Sequence, residues 1–274
     1  MPNKEKYVLI FFVFFIAVYA GVLIINAQLG PNDDFMMLRT LQSGKPFLYY
    51  SDDFPYFELI KYGRFTPLAA MEYNIFGLFS KSPSPFWYYF YHALQYIVFI
   101  LILLKILKWS IPSKSTRYLI AVFLSLMPGF TFVWFRTQIT ERNVIFFLAA
   151  FILFFINYVQ KKHWGYFIFA LLAANLTIYY KETAFIIIGA FAFLYLLLSW
   201  KQSDKKIKKL CALVILSSLI YLIVYGLYVM PKGGSFAHGK NLSTPFYITF
   251  SKNLLNYALI TDPLIIFILL PLIL

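Results

Sequence analysis

Charge is what this chain has least of. Only 13% of its 274 residues are charged, 61% are hydrophobic, and the mean hydropathy is +0.74. A soluble domain of this size would have to leave large apolar patches in water, which excludes that class. Negative charge is the scarcer sign, with 11 acids against 24 Lys and Arg. The basic excess is nevertheless not a nucleic-acid footprint, because no contiguous basic stripe with aromatic platforms runs through it. One cysteine, Cys211, rules out an internal disulfide and says nothing of redox compartment. No internal repeat is visible, and charge within the apolar runs is nearly absent: Lys105 lies near the end of one run and Asp262 in the last. Both absences weigh against a transporter built from matched halves around a mid-membrane site.

What is present is apolar length. Hydrophobic runs lie near 7–29, 86–107, 118–135, 144–159, 165–180, 183–200, 210–230 and 258–274. The expected fold class is all-α, a polytopic transmembrane helix bundle forming one domain over 1–274. The runs 118–135, 144–159 and 165–180 need flanking residues to cross a hydrocarbon core of about 30 Å. Lys4, Lys6 and Ala27 fit a secretory signal peptide, but the first run exceeds the usual apolar stretch of roughly 7–15 residues and reads as a retained anchor. The last run, ALITDPLIIFILLPLIL, has no polar residue after Asp262 and no basic flank. It reads as an unfinished span, with a C-terminal part expected beyond it.

Charge sorts by side. With the N-terminus placed inside, the inner segments hold thirteen cations against Glu5 and Asp204, while the outer segments hold eleven cations and nine acids. Retention of positive charge on the cytoplasmic side accounts for nearly all of the excess. The inner loops KWSIPSKSTR, QKKHWG and KQSDKKIKK read as topology determinants. The outer loops carry the carboxylates a binding site needs.

The first outer loop spans 30–85. Gly30-Pro31-Asn32 breaks the first run, and Asn32 or Asp33 is placed to cap an interfacial helix over 34–42 that Gly44 ends. A second interfacial helix near 66–79 presents Leu68, Met71, Ile75, Phe76 and Phe79. Asp33 and Asp34 open this loop beside hydrocarbon, where acids are costly and mark function; the same pair also suits a helix cap and dipole partner. Asp52-Asp53, set among Tyr49, Tyr50, Phe54 and Tyr56, reads as a polar turn or a sugar-stacking surface. The second outer loop, WFRTQITERN, carries Arg136, Glu141 and Arg142, with Thr140 placed to cap the next helix. The third, IYYKETAF, holds Lys181 and Glu182 in a tight connection, paired with each other or with groups on the first loop.

Four motifs occur in order: NDDF at Asp33-Asp34, Gly-Arg-Phe-x-Pro at Gly63 to Pro67, TERN at Thr140 to Asn143, and Lys181-Glu182. Each is short; their order and common side resemble the GT-C superfamily of integral membrane glycosyltransferases over most of residues 7–200. That superfamily includes protein O-mannosyltransferases and bacterial aminoarabinose and glucosyl transferases. The resemblance implies a polyprenyl-phosphate-linked sugar donor and a lipid, glycan or protein hydroxyl acceptor, with reaction on the extracytoplasmic face of a bacterial inner or cell membrane. It further implies Asp33 as general base with Asp34 as its partner, and Glu141 as a second acidic position. Arg64, Arg136, Arg142 and Lys181 are then cations for the leaving phosphate, with Glu182 beside them. Asp33, Asp34 and Glu141 are candidates for a divalent metal such as Mg or Mn. Competing readings are a transporter or flippase-like protein for a lipid-linked solute, and a polysaccharide polymerase. Relatives are commonly longer, and a chain cut short would lack acceptor-selecting parts or activity.

Overall fold

The computed structural model describes residues 2–29, 42, 65–69, 71–80, 84–137 and 139–229. Among these the chain is helical throughout, with no strand. The helices are α1 (Pro2–Ile25), α2 (Met71–Phe79), α3 (Pro85–Leu107), α4 (Lys114–Leu126), α5 (Pro128–Phe135), α6 (Glu141–Lys161), α7 (Trp164–Tyr180), α8 (Ala184–Ser199) and α9 (Lys205–Val224). A short π-helical turn, Tyr225–Val229, follows α9. Helices α1, α3, α6 and α9 are each long and apolar enough to cross a membrane, and the bent pair α4–α5 makes a fifth candidate. The protein is an all-α polytopic bundle, and the expected span 258–274 lies outside the described residues.

Local chemistry sets the helix starts. Ser84 accepts the Phe86 N–H ahead of α3, with Pro85 at the first helical position, where its missing donor costs nothing. Ser113 accepts the Thr116 N–H at the start of α4, and Asp204 accepts the Ile207 N–H at the start of α9. The region expected as one span over 118–135 is instead broken: α4 and α5 meet at 69°. Pro128 brings no N–H and pushes Met127 to extended backbone (φ −63°, ψ 132°). The break is repaired by side chains, since Thr131 donates to the Ser125 carbonyl at 3.0 Å and the Tyr96 hydroxyl donates to Ser125 Oγ at 2.8 Å.

Two cores result. One joins α1, α3, α4 and α5 through Leu23, Tyr96, Phe99, Ala121, Phe130 and Trp134. The other joins α6 to α9 through Phe151, Phe155, Ala174, Ile188, Val214 and Tyr221. Small residues bring the second group close: a Cβ at Gly189 of α8 would stand 3.0 Å from that of Ser218 on α9. Outward faces carry exposed Phe14, Phe193 and Leu198, as a lipid-facing surface requires. The two groups meet where α3 packs on α6. The second interfacial helix is shorter than expected: 65–69 form a turn, and α2 begins at Met71. It exposes Ile75, Leu78 and Phe79 while burying Glu72 and Tyr73. A buried acid beneath an exposed apolar face is the reverse of a soluble helix and suits contact with lipid. The helix expected over 34–42 lies outside the described residues apart from Gln42.

At the end opposite α2, Lys162 takes a left-handed conformation (φ 54°) and its Nζ meets Asp204 Oδ2 at 2.5 Å. This contact, then the Ile207 N–H, holds the Asp204 carboxyl below its ordinary range. A depressed carboxylate stabilises the fold fully above its unfolded value, about 4, and loses that contribution as pH falls through the folded one. Asp204→Ala is therefore expected to cost about 1 kcal/mol at neutral pH. In thermal melts, the gap from wild type should begin to narrow below roughly pH 4 and go on narrowing as pH falls through the lower folded value. A gap independent of pH would show that the carboxylate charge is not involved.

Candidate functional site

Three of the five described acids, Glu72, Glu141 and Glu182, lie where the N-terminus of α6 meets the C-terminus of α7, with Arg136, Arg142 and Lys181. Glu141 opens α6 and Lys181 follows the last residue of α7. These two antiparallel neighbours put the positive end of one helix dipole beside the negative end of the other, which favours an acid on the first and a cation on the second. Lys181 Nζ donates to Glu141 Oε1. The pair remains open to solvent or ligand, with side chains 27% and 43% exposed. Thr140, expected as a helix cap, makes no capping bond; its hydroxyl turns to Glu141 Oε2 at 3.3 Å. Glu182, next in the chain to Lys181, is partly exposed.

Beneath this pair lies a closed ring of buried side chains. Arg142 Nη2 donates to Glu72 Oε1 at 2.6 Å, and Arg142 Nε donates to Gln95 Oε1 at 3.1 Å. Gln95 Nε2 donates to Asn143 Oδ1 at 2.8 Å, and Asn143 Nδ2 returns to Glu72 Oε1 at 3.1 Å. Arg142 Nη1 reaches the carbonyls of Arg136 and Thr137 and Nδ1 of His92. A guanidinium cannot accept, so His92 Nδ1 is the acceptor and its proton sits on Nε2, which has no partner among the described residues. Arg142, Asn143 and His92 are fully buried, and Gln95 and Glu72 nearly so. A buried ion pair survives only when its remaining lone pairs and protons are met, and here the ring meets them.

This ring changes the reading of Arg142. Expected as a cation for a leaving phosphate, it is buried and its donors are taken up by the protein. Adjacent residues on a helix point about 100° apart, so burying Arg142 turns Glu141 sideways toward α7. Arg136 lies exposed at the end of α5, its guanidinium 4.5 Å from the Phe132 ring centroid.

Further contacts bring other segments to the same end. The Tyr89 hydroxyl of α3 lies 2.9 Å from the Gln28 carbonyl after α1 and 3.2 Å from the Phe135 carbonyl. Leu68 N–H donates to the Tyr179 carbonyl at 3.3 Å, and the Tyr221 hydroxyl donates to the Phe65 carbonyl. The described part of the first loop is thus fixed to α6, α7 and α9. Asp33, Asp34 and Arg64, together with Asp52 and Asp53, lie outside the described residues. Among the described residues no three His, Cys, Asp or Glu side chains gather as metal ligands. Of the suggested metal trio only Glu141 is described, and Lys181 already supplies the positive charge beside it.

Glu72, Gln95, Asn143 and His92 were not among the expected site residues, although a signal for two of them exists. His92 and Gln95 stand three apart in the apolar run of α3 and so share a face, an unusual polar pair for a spanning helix.

Fold and charge placement define a multi-pass membrane protein with an accessible Glu141–Lys181 pair at one end of the bundle, above a buried polar anchor, and a lysine-rich opposite end. The sequence profile of the dolichyl-phosphate-mannose-protein mannosyltransferases matches residues 70–225, more than half of the chain. The chain belongs to this family, of the GT-C type, and so to the membrane glycosyltransferases that use lipid-linked sugar donors. The matched stretch runs from just before α2 into the π-helical turn and includes the ring and the Glu141–Lys181 pair. No curated protein and no solved structure gives a significant match.

Proposed function

We propose that this protein transfers a sugar from a polyprenyl-phosphate donor to a hydroxyl acceptor on the extracytoplasmic face, with Asp33 as general base. Asp33 takes the proton of the acceptor hydroxyl as its oxygen bonds to the anomeric carbon. The bond from that carbon to the phosphate oxygen breaks, and polyprenyl phosphate leaves. Lys181, Arg136 and Arg64 stabilise the charge gathering on the phosphate, with Arg64 suited to a bidentate contact. Asp34 orients the acceptor, and Glu141 with its neighbour Glu182 holds Lys181 and sugar hydroxyls at the mouth. The buried ring contributes indirectly: it fixes the first turn of α6 and thereby the direction of Glu141.

The observation that carries this reading is the Tyr89 hydroxyl, which reaches both the Gln28 and the Phe135 carbonyls. It ties the end of α1 to the loop leading into Glu141. Asp33 follows Gln28 by five residues, so the extended chain allows at most roughly 18 Å between them. That reach supports, within this reading, an acidic pair working at the end of the bundle that carries Lys181 and Arg136. A donor held by its lipid at the headgroup layer needs its base at that level, and proximity supplies much of the rate.

Lys181→Ala tests the phosphate role. Losing one charge-assisted contact of about 1.5–3 kcal/mol should weaken donor binding by roughly ten- to a hundredfold. Acceptor affinity should stay unchanged, because the acceptor meets Asp33 and Asp34. The two are separated by titrating labelled polyprenyl-phosphate sugar and acceptor independently against the reconstituted protein. Unchanged donor affinity would return Lys181 to a purely anchoring role at the end of α7.

A further inference from the structure

The end of the bundle away from Glu141 and Lys181 carries a second organised surface that sugar transfer does not use. The α6–α7 and α8–α9 turns are joined there by the Lys162–Asp204 ion pair. Asp204, the acid of both turns, is fully engaged, since its other oxygen accepts the Ile207 N–H at 2.9 Å. The two turns and the helix ends beside them also carry Lys161, Lys201, Lys205, Lys206, Lys208 and Lys209, and among the described residues none of them pairs with an acid.

Aromatic rings order this charge. Lys208 Nζ lies 4.3 Å from the centroid of Trp200, which is 57% exposed, and Lys161 Nζ lies 3.4 Å from the Tyr166 hydroxyl. Trp164 stacks on Phe167 at 4.6 Å and leaves its other face open. Exposed tryptophans flanking lysines mark the headgroup level of a bilayer. Exposed Leu197 and Leu198 run down from Trp200 along α8 and offer an apolar wall for acyl chains. Cations ordered over rings, with the nearby carboxylate neutralised and an apolar flank below, complement a ligand that is anionic at its head and apolar in its tail.

We propose that the joined α6–α7 and α8–α9 turns form a binding surface for anionic phospholipid headgroups in the leaflet this end faces. Topology determination requires only that lysines be retained on one side; it does not require two turns pinned into one patch around a single neutralised acid. The surface is independent of the catalytic reading and stands whether or not Asp33 is a base.

The test titrates the full chain in neutral detergent with dansyl-phosphatidylglycerol and with dansyl-phosphatidylcholine, reading energy transfer from tryptophan. Lys205→Gln/Lys206→Gln/Lys209→Gln removes three exposed, unpaired charges and leaves the Lys162–Asp204 contact intact. Lys105→Gln/Lys108→Gln/Lys114→Gln removes three cations from the α3–α4 turn at the same end. Each lysine near an anionic surface is worth about a factor of five, so the first triple should weaken phosphatidylglycerol binding on the order of a hundredfold. The α3–α4 triple should lose far less. Equal losses from the two triples would show diffuse surface charge and overturn the site. So would equal binding of phosphatidylcholine, or displacement of the lipid by inorganic phosphate alone.

Discussion

Arg142→Ala is expected to destabilise the protein by about 3–5 kcal/mol, the range found when one partner of a buried ion pair is removed. Truncation leaves the Glu72 carboxylate buried with Asn143 as its remaining ring partner. It also strips a donor from Gln95 Oε1, from His92 Nδ1 and from the carbonyls of Arg136 and Thr137. The ring links α2, α3 and α6, so its loss should loosen α2 from the bundle and free the first turn of α6. Glu72→Gln keeps an oxygen for Asn143 and Arg142 but removes the negative charge, and should fall between wild type and Arg142→Ala. Thermal unfolding in detergent, followed by tryptophan fluorescence, checks both. Because the partners touch, the double variant should lose less than the sum of the single losses. Wild-type stability in Arg142→Ala would mean that the ring does not hold the bundle together.

Asp33→Asn is expected to leave the fold intact and lower sugar transfer by about 10²–10⁴-fold, the usual contribution of a positioned general base. The substituted amide keeps the shape of the carboxylate and its capacity to cap a helix, but it has no basicity for the acceptor proton. This separates the two roles available to the acid: a cap retains function as an amide, and a base does not. Turnover measured with a lipid-linked donor, alongside the melting temperature of the same preparation, separates a chemical loss from a folding loss. Full activity in Asp33→Asn would remove Asp33 as the base, with family membership unaffected.

Helix identity was legible in the sequence because long apolar runs admit few alternatives in a membrane. The run over 118–135 was read as one span, and its division into two helices at Pro128 was not anticipated. Whether a proline bends a helix or ends it depends on side chains that satisfy the freed backbone; here Thr131 does so at the Ser125 carbonyl, while Tyr96 holds the Ser125 side chain. The ring was the least legible feature, since its partners lie 47 to 71 residues apart and belong to three helices. Arg142 illustrates the reason. Its position beside a loop suggested an accessible cation, whereas the inward face of α6 is set by packing against α3. Lys181 was read as pairing with Glu182 or with the first loop, whereas it pairs with Glu141 at the start of the neighbouring helix. The transporter reading expects broken spans with charged linings. The α4–α5 break is real, but the polar groups placed at it are the neutral Ser125 and Thr131.

Sidedness is the most direct test of the central claim that Asp33 shares an end of the bundle with Lys181. The buried Cys211 is replaced by serine, and single cysteines are placed at Asp33, Lys181 and Lys205. Sealed vesicles of known orientation are then exposed to a membrane-impermeant thiol reagent. Asp33→Cys and Lys181→Cys should react from the same side, and Lys205→Cys only from the other. Labelling of Asp33→Cys together with Lys205→Cys would separate the base from the cations it is proposed to work with and contradict the account.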